Sequence, residues 1–201
     1  MVAASCGIEV DRIIEYRPLL DSALEIAGHQ PDSCVVYQRP QATASMVQGR
    51  DVDWNELVDT ADPADCVTVS ATDPLYILYT SGTTAMPKGV VRDNGGHAVA
   101  LRWSMPNIYD VHPGDVYWAA SDVGWVVGHS YIVYGPLALA ASSVIFEGVP
   151  TYPDAGRAWR IAERLDVNIF HTAPTTIRML RKAGPDEPKK YDYHFKHMTT
   201  V

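Results

Sequence analysis

The stretch 76–91, YILYTSGTTAMPKGVV, gathers the residue types needed to hold a polyphosphate. Thr80, Ser81, Gly82, Thr83 and Thr84 place four hydroxyls and one unhindered backbone unit in five consecutive positions, and Lys88 follows Pro87. Small hydroxyl residues and glycine let a chain turn its N–H groups and Oγ atoms onto an anion, while a lysine supplies the compensating charge. The string is not the Walker type, because Pro87 precedes the lysine and Gly89 stands where Ser or Thr should follow it. The plain alternative for such a stretch is a solvated turn.

A second patch runs over 118–131, WAASDVGWVVGHSY, with two tryptophans, glycines and an aspartate just past an apolar run. Those types suit the wall of a small apolar pocket; the bland reading is ordinary core packing. His129 in this patch reads either as a group sensing a substrate or as a hydrogen-bonded core histidine. His194 and His197 have metal-compatible spacing, but no third ligand lies near and Lys196 sits between them, so no metal site is expected there. No G-x-S-x-G elbow supports a serine nucleophile.

Elements must place these groups. Strands are expected over 2–4, 34–38, 75–79, 116–119, 144–146 and 168–171. Helices are expected over 18–27, 54–60, 96–108, 129–140, 156–165 and 175–182. Pro18 in the first turn and Gly28 at the end mark the first helix, and Asp154 can cap the fifth. Such alternation implies an α/β fold with a mostly parallel sheet, helices on both faces and ligands at the strands' carboxyl ends. The 76–91 string would then leave one of those ends. Residues 39–70 read as a looser surface run, and 184–201 as polar with no further core strand.

Composition sets bounds. With 47% hydrophobic and 20% charged residues the chain reads as globular rather than disordered. A net charge of −8 without a basic run argues against nucleic acid as a partner. Cys6, Cys34 and Cys66 are odd in number and far apart, as expected of free buried thiols in a reducing compartment. Residues 123–146 lack Asp, Glu, Lys and Arg, yet their glycines, Pro136 and His129 read as loop, buried helix and strand rather than a membrane span. No basic segment followed by an apolar core opens the chain, so no secretory signal is expected.

The 76–91 string resembles the phosphate-loop signature YTSGTTGxPKG of the AMP-forming acyl-CoA synthetases, the adenylate-forming enzymes, with Ala85 in place of a glycine. If the loop needs a positive φ there, alanine strains it by roughly 1 kcal/mol or more. GWVVGHSY at 124–131 closely resembles the acyl-pocket segment of acetyl- and propionyl-CoA synthetases, which implies Trp125, Val126 and Val127 as acyl-pocket residues. Acetyl-CoA synthetases usually carry threonine at the Val127 position and the propionyl branch valine; one methylene is worth about 1–3 kcal/mol, a preference rather than an exclusion. FEGVPTYPD at 146–154 looks like a third family string and implies that Thr151 approaches coenzyme A. HTAPTTIR at 171–178 resembles a family strand-to-helix junction. VAASCGIE, YRPLLDSAL, QRPQ, DPLYILYTSGTT and GGHAVALRWSM match as well.

The resemblance implies a middle slice of the large N-terminal domain of adenylate-forming enzymes. Residues 1–192 would be a partial AMP-binding domain and 193–201 a divergent tail. It implies a two-step reaction in which a two- to four-carbon carboxylate attacks ATP, giving acyl-adenylate and pyrophosphate, and CoA then displaces AMP. Thr80, Ser81, Gly82, Thr83, Thr84 and Lys88 would hold the departing phosphates. ATP, coenzyme A and Mg2+ are the implied ligands. The magnesium ligands and the catalytic lysine are expected outside this chain, so no catalytic residue is assigned within it and little or no ligase activity is expected of it alone. The rival expectation is a non-enzymatic remnant or interaction protein that keeps only an anion-binding loop. A cytoplasmic location is expected, with the mitochondrial matrix as alternative; the oligomeric state is left open.

Overall fold

The computed structural model describes residues 1–80 and 86–200. Ser81, Gly82, Thr83, Thr84 and Ala85, four of them assigned above to phosphate binding, lie outside the described residues. The chain divides into two compact units, Met1–Cys66 and Val67–Val201.

In the first unit, β1 (Val2–Ala4), β4 (Cys34–Tyr37) and β5 (Asp51–Asp53) form a parallel sheet in the order β1-β4-β5. Helix α1 (Arg17–Ile26) carries Pro18 in its first turn and buries Leu20 and Leu24 against Cys34 and Ala3. The helix stops at Ile26 because Ala27 is already extended, so Gly28 is not its terminator. Cys6–Glu9 (β2) and Arg12–Glu15 (β3) pair as an antiparallel hairpin that the residue pattern did not announce. Within residues 39–70 the expected helix forms as α2 (Trp54–Thr60), its first turn capped by the Asp53 carboxylate through the N–H groups of Asn55 and Glu56, while β5 is a strand not expected from the sequence. Cys6 and Cys34 are buried free thiols; Cys66 is exposed, correcting the expectation of three buried ones.

The second unit is built on a four-stranded parallel sheet in the order β11-β10-β8-β9, formed by β8 (Val116–Ala120), β9 (Ser142–Ser143), β10 (Ile169–Thr172) and β11 (His197–Thr200). Successive side chains on a strand face opposite ways, and β8 shows both faces covered. Trp118 and Ala120 pack with Ala158, Trp159 and Ala162 of α6 (Arg157–Arg164) and Leu180 of α7 (Pro174–Lys182). Tyr117 and Ala119 pack on the other side with Met105 of α3 (Asn94–Ile108) and Ile132. Among the described residues, no helix is long and apolar enough to cross a membrane.

Four expectations need correction here. Residues 144–146 are not a strand: the ladder ends at Ser143, Val144 still donates its N–H to the Tyr117 carbonyl at 2.9 Å, and the chain then leaves with Ile145 exposed. The stretch 184–201 does contain a strand, since β11 pairs in register with β10 from Ile169↔His197 to Thr172↔Thr200. An edge strand with polar side chains lacks the apolar alternation that would reveal it. Asp154 does not cap α6; Gly156 holds that position, while Asp154 accepts from the Gly156 N–H at 2.8 Å and pairs with Arg160.

The fourth concerns the strand before the phosphate string. Among the described residues, Pro74–Thr80 (β6) joins no parallel sheet and pairs antiparallel with β7 (Lys88–Asp93). The connection 81–87 is too short for the crossover that parallel strands need, so the two segments can only close as a hairpin.

Candidate functional site

Thr80 is the last residue of β6 and Lys88 the first of β7, and the two are Cα partners across the hairpin. Both side chains are exposed. The hairpin register thus sets a hydroxyl and an ammonium side by side at the mouth of the 81–87 connection.

Past the end of β8, the Asp122 carboxylate accepts from the Gly124 N–H at 2.7 Å, and its carbonyl accepts from the Trp125 N–H at 3.2 Å. This turn launches α4 (Val126–Gly128), which continues through a π-helical segment, His129–Tyr134, into α5 (Gly135–Ala138). The expected helix over 129–140 therefore begins earlier and is widened in its middle. The wider turn is closed by the Gly135 N–H donating to the Ser130 carbonyl, five residues back, a geometry often found at functional sites.

The widened segment faces a cavity of about 350 Å3. Val126, Val127 and Tyr131 line it from this segment, His97 and Leu101 from α3, and Arg92 from β7. Two of the three expected acyl-pocket residues are thus brought together. Trp125 is not in the lining; its side chain is 67% exposed.

Arg92, His97, Leu101 and Tyr131 were not singled out from the sequence, although His97, Leu101 and Ser104 recur at the i, i+4, i+7 spacing of one helix face. His97 is 8% exposed and its Nε2 has no hydrogen-bond partner among the described residues. Burial, and then the nearby Arg92 cation, push its pKa down against the opposing pull of Asp93. The neutral imidazole is favoured accordingly.

Tyr76 of β6 ties the hairpin to this region. Its ring lies 5.6 Å from His97, 5.0 Å from His129 and 6.0 Å from Tyr134, centroid to centroid. His129 Nδ1 donates to the Trp125 carbonyl at 3.0 Å. That bond and the ring contact give His129 the hydrogen-bonded structural role, one of the two readings open for it.

Thr151 is half-buried and outside the cavity lining. Its loop is gathered by one side chain: the Arg157 guanidinium donates to the carbonyls of Glu147 at 2.6 Å, Val149 at 3.2 Å and Tyr152 at 2.9 Å. It also sits 5.7 Å from the Phe146 ring centroid. Arg157→Ala should free the 147–152 segment and cost roughly 1–2 kcal/mol. Amide hydrogen exchange checks this, and unchanged protection of the segment would refute it.

Among the described residues, no group of three or more His, Cys, Asp or Glu side chains could hold a metal ion. No magnesium ligand is assigned among the described residues.

The fold is similar to that of a solved synthetase. Acetoacetyl-CoA synthetase from Streptomyces lividans superimposes with a TM-score of 0.85 at 25% identity, over 99% of this chain and 30% of that one. The chain is 55% identical over 195 residues to an uncharacterized protein of Pseudomonas aeruginosa, covering 96% of this chain and 31% of that protein. It is 49% identical over 203 residues to human acyl-CoA synthetase short-chain family member 3, mitochondrial, covering all of this chain and 30% of that protein. The profile of the AMP-binding enzyme family matches residues 8–201, and the chain belongs to that family. It spans less than a third of the length of these relatives.

Proposed function

We propose that this chain forms the acid- and phosphate-binding part of an AMP-forming short-chain acyl-CoA synthetase. The reaction joins a two- to four-carbon carboxylate to coenzyme A, with ATP converted to AMP and pyrophosphate. The observation that carries this reading is Val126 and Val127 lining a cavity that also reaches Arg92, on the strand that begins at Lys88. At about 3.4 Å per strand residue, Lys88 and Arg92 stand roughly 14 Å apart, a suitable span from departing phosphates to a bound acid.

In this reading Thr80, Ser81, Gly82, Thr83, Thr84 and Lys88 hold the β- and γ-phosphates, so that charge building on the leaving pyrophosphate meets fixed donors. The acid's carboxylate, its alkyl tail against Val126 and Val127, is oriented toward the α-phosphate, where positioning supplies much of the rate. Trp125, the chain neighbour of Val126, belongs to the acyl pocket in this reading, and Thr151 meets CoA in the thiol-transfer step. Magnesium accompanies the nucleotide, with no ligand assigned in this chain.

At about 30 Å3 per heavy atom, propionate needs roughly 150 Å3, which leaves space for solvent or a second reactant. A valine rather than a hydroxyl at 127 favours propionate over acetate by about 1–3 kcal/mol at most. Turnover by the 201-residue chain alone is weak or nil. We place the activity in the cytoplasm, with the mitochondrial matrix second. That rests on the free cysteines and on the word mitochondrial in the human relative's name.

Calorimetry tests the reading. Pyrophosphate should bind the chain, and Lys88→Ala should weaken it roughly tenfold, the worth of one charged hydrogen bond. No heat, or heat indifferent to Lys88, would leave only the non-enzymatic alternative. Robust pyrophosphate release from ATP, propionate and CoA would refute the claim of weak turnover.

A further inference from the structure

We propose that Arg92 anchors the carboxylate of the acid, an assignment that rests on the cavity being the acid site. Of the residues lining the cavity, Arg92 alone carries a full charge at neutral pH. Its guanidinium is exposed, and among the described residues no carboxylate pairs with it. Asp93, the nearest acid along the chain, is committed to capping α3, accepting from the His97 N–H at 3.1 Å.

The rest of the lining suits a short monocarboxylate. Val126, Val127 and Leu101 offer apolar surface to an alkyl tail, while the buried Ser130 adds a hydroxyl. His97 lines the same cavity as a buried imidazole whose Nε2 lacks a partner among the described residues. Burying a polar nitrogen without a partner is costly, and a ligand or water that reaches it removes the cost. Because this ring is held neutral, one carboxylate balances the single positive charge of Arg92. A dianion would carry excess charge, and a neutral amide would leave the guanidinium without its counter-ion. A guanidinium presents a planar fork that matches a carboxylate's two oxygens, so the anchor fixes orientation as well as affinity.

The anchor places the carboxylate on β7, at the opposite end from Lys88. One strand would thereby set the distance between the two reacting anions. Repulsion between acid and triphosphate is then offset at both ends of one strand.

Ligand-observed NMR on the full 201-residue chain decides, with propionate and its neutral isostere propionamide as probes. Arg92→Gln should weaken propionate roughly tenfold, Arg92→Lys should recover part of that loss, and propionamide should bind all three forms alike. The amide also reports on folding, because a collapsed cavity would lose it together with the acid. Val127→Trp, which fills the cavity, should abolish both ligands. If Arg92→Gln binds propionate as well as the unaltered chain while Val127→Trp does not, the anchor is wrong and the acid cavity stands. If the unaltered chain binds no propionate, or binds it irrespective of Val127→Trp, the cavity reading itself fails and the anchor falls with it.

Discussion

Gly128→Ala should lower the melting temperature of the second unit by on the order of 10 °C and abolish propionate binding. A Cβ at this position would press into the carbonyl oxygen of Asp122 and the backbone of Val123. These are backbone atoms that cannot rotate aside, and the turn they form is pinned by the Asp122 bonds to Gly124 and Trp125. Overpacking of this kind costs about 1–3 kcal/mol, and relief requires α4 to move off the turn. Moving α4 shifts Val126 and Val127, which line the cavity, so stability and acid affinity fall together. Calorimetric melting and propionate titration of the same variant check this. An unchanged melting temperature would show that the close approach is not maintained in solution.

The second large effect is acid destabilisation through His171. This side chain is fully buried on β10, with Nδ1 2.8 Å from the Thr199 hydroxyl and Nε2 without a partner among the described residues. Tyr109, Tyr117 and Tyr131 surround the ring. Burial pushes the Tyr109 phenol up to about 12 and the Tyr117 phenol further. Burial lowers the His171 pKa to about 4, and among the described residues no charged group offsets this.

An unfolded histidine titrates near 6.5. Above that pH both states are neutral and the stability is fully present. As pH falls from about 6.5 to about 4, the unfolded chain takes up a proton that the folded chain refuses. Stability then declines by up to about 3 kcal/mol. Urea midpoints at pH 7 and pH 4.5, compared between the natural chain and His171→Gln, isolate this contribution from that of the other titrating groups. Equal pH slopes in both proteins would mean that His171 is not held neutral.

The hydrogen bond to Thr199 explains why the tail belongs with the sheet. Thr199 lies on β11, and the approach to that strand carries Tyr193 stacked on Trp159 at 5.2 Å and Phe195 stacked on Phe170 at 5.6 Å. Lys196 adds an ion pair with Asp115. The segment's backbone completes the edge of β10 while its aromatics cover the far core. Neither contribution depends on an apolar period along the strand, so composition alone left the segment looking irregular.

Residue order by itself determined the elements whose signals are local. Trp54–Thr60 was legible from its periodicity, and α1 from Pro18 in its first turn. The β6 strand and the hydroxyl string were legible because β-branched and aromatic residues give way abruptly to Thr, Ser and Gly. The valine pair at 126–127 was singled out from its string, and the structure places both residues on one cavity. Tertiary structure decided what those signals could not carry. Trp125 and Val126 are chain neighbours of similar apolar character, yet the Asp122 turn aims only the second into the cavity. Arg92 and His97, on a strand that runs directly into a helix, became candidates because the distant segment carrying Val126 and Val127 lines the same space, a long-range approach that leaves no mark on either segment. The antiparallel closure of β6 on β7 lies between the two cases. The shortness of 81–87 already required it, since a chain that short cannot cross a sheet and return parallel.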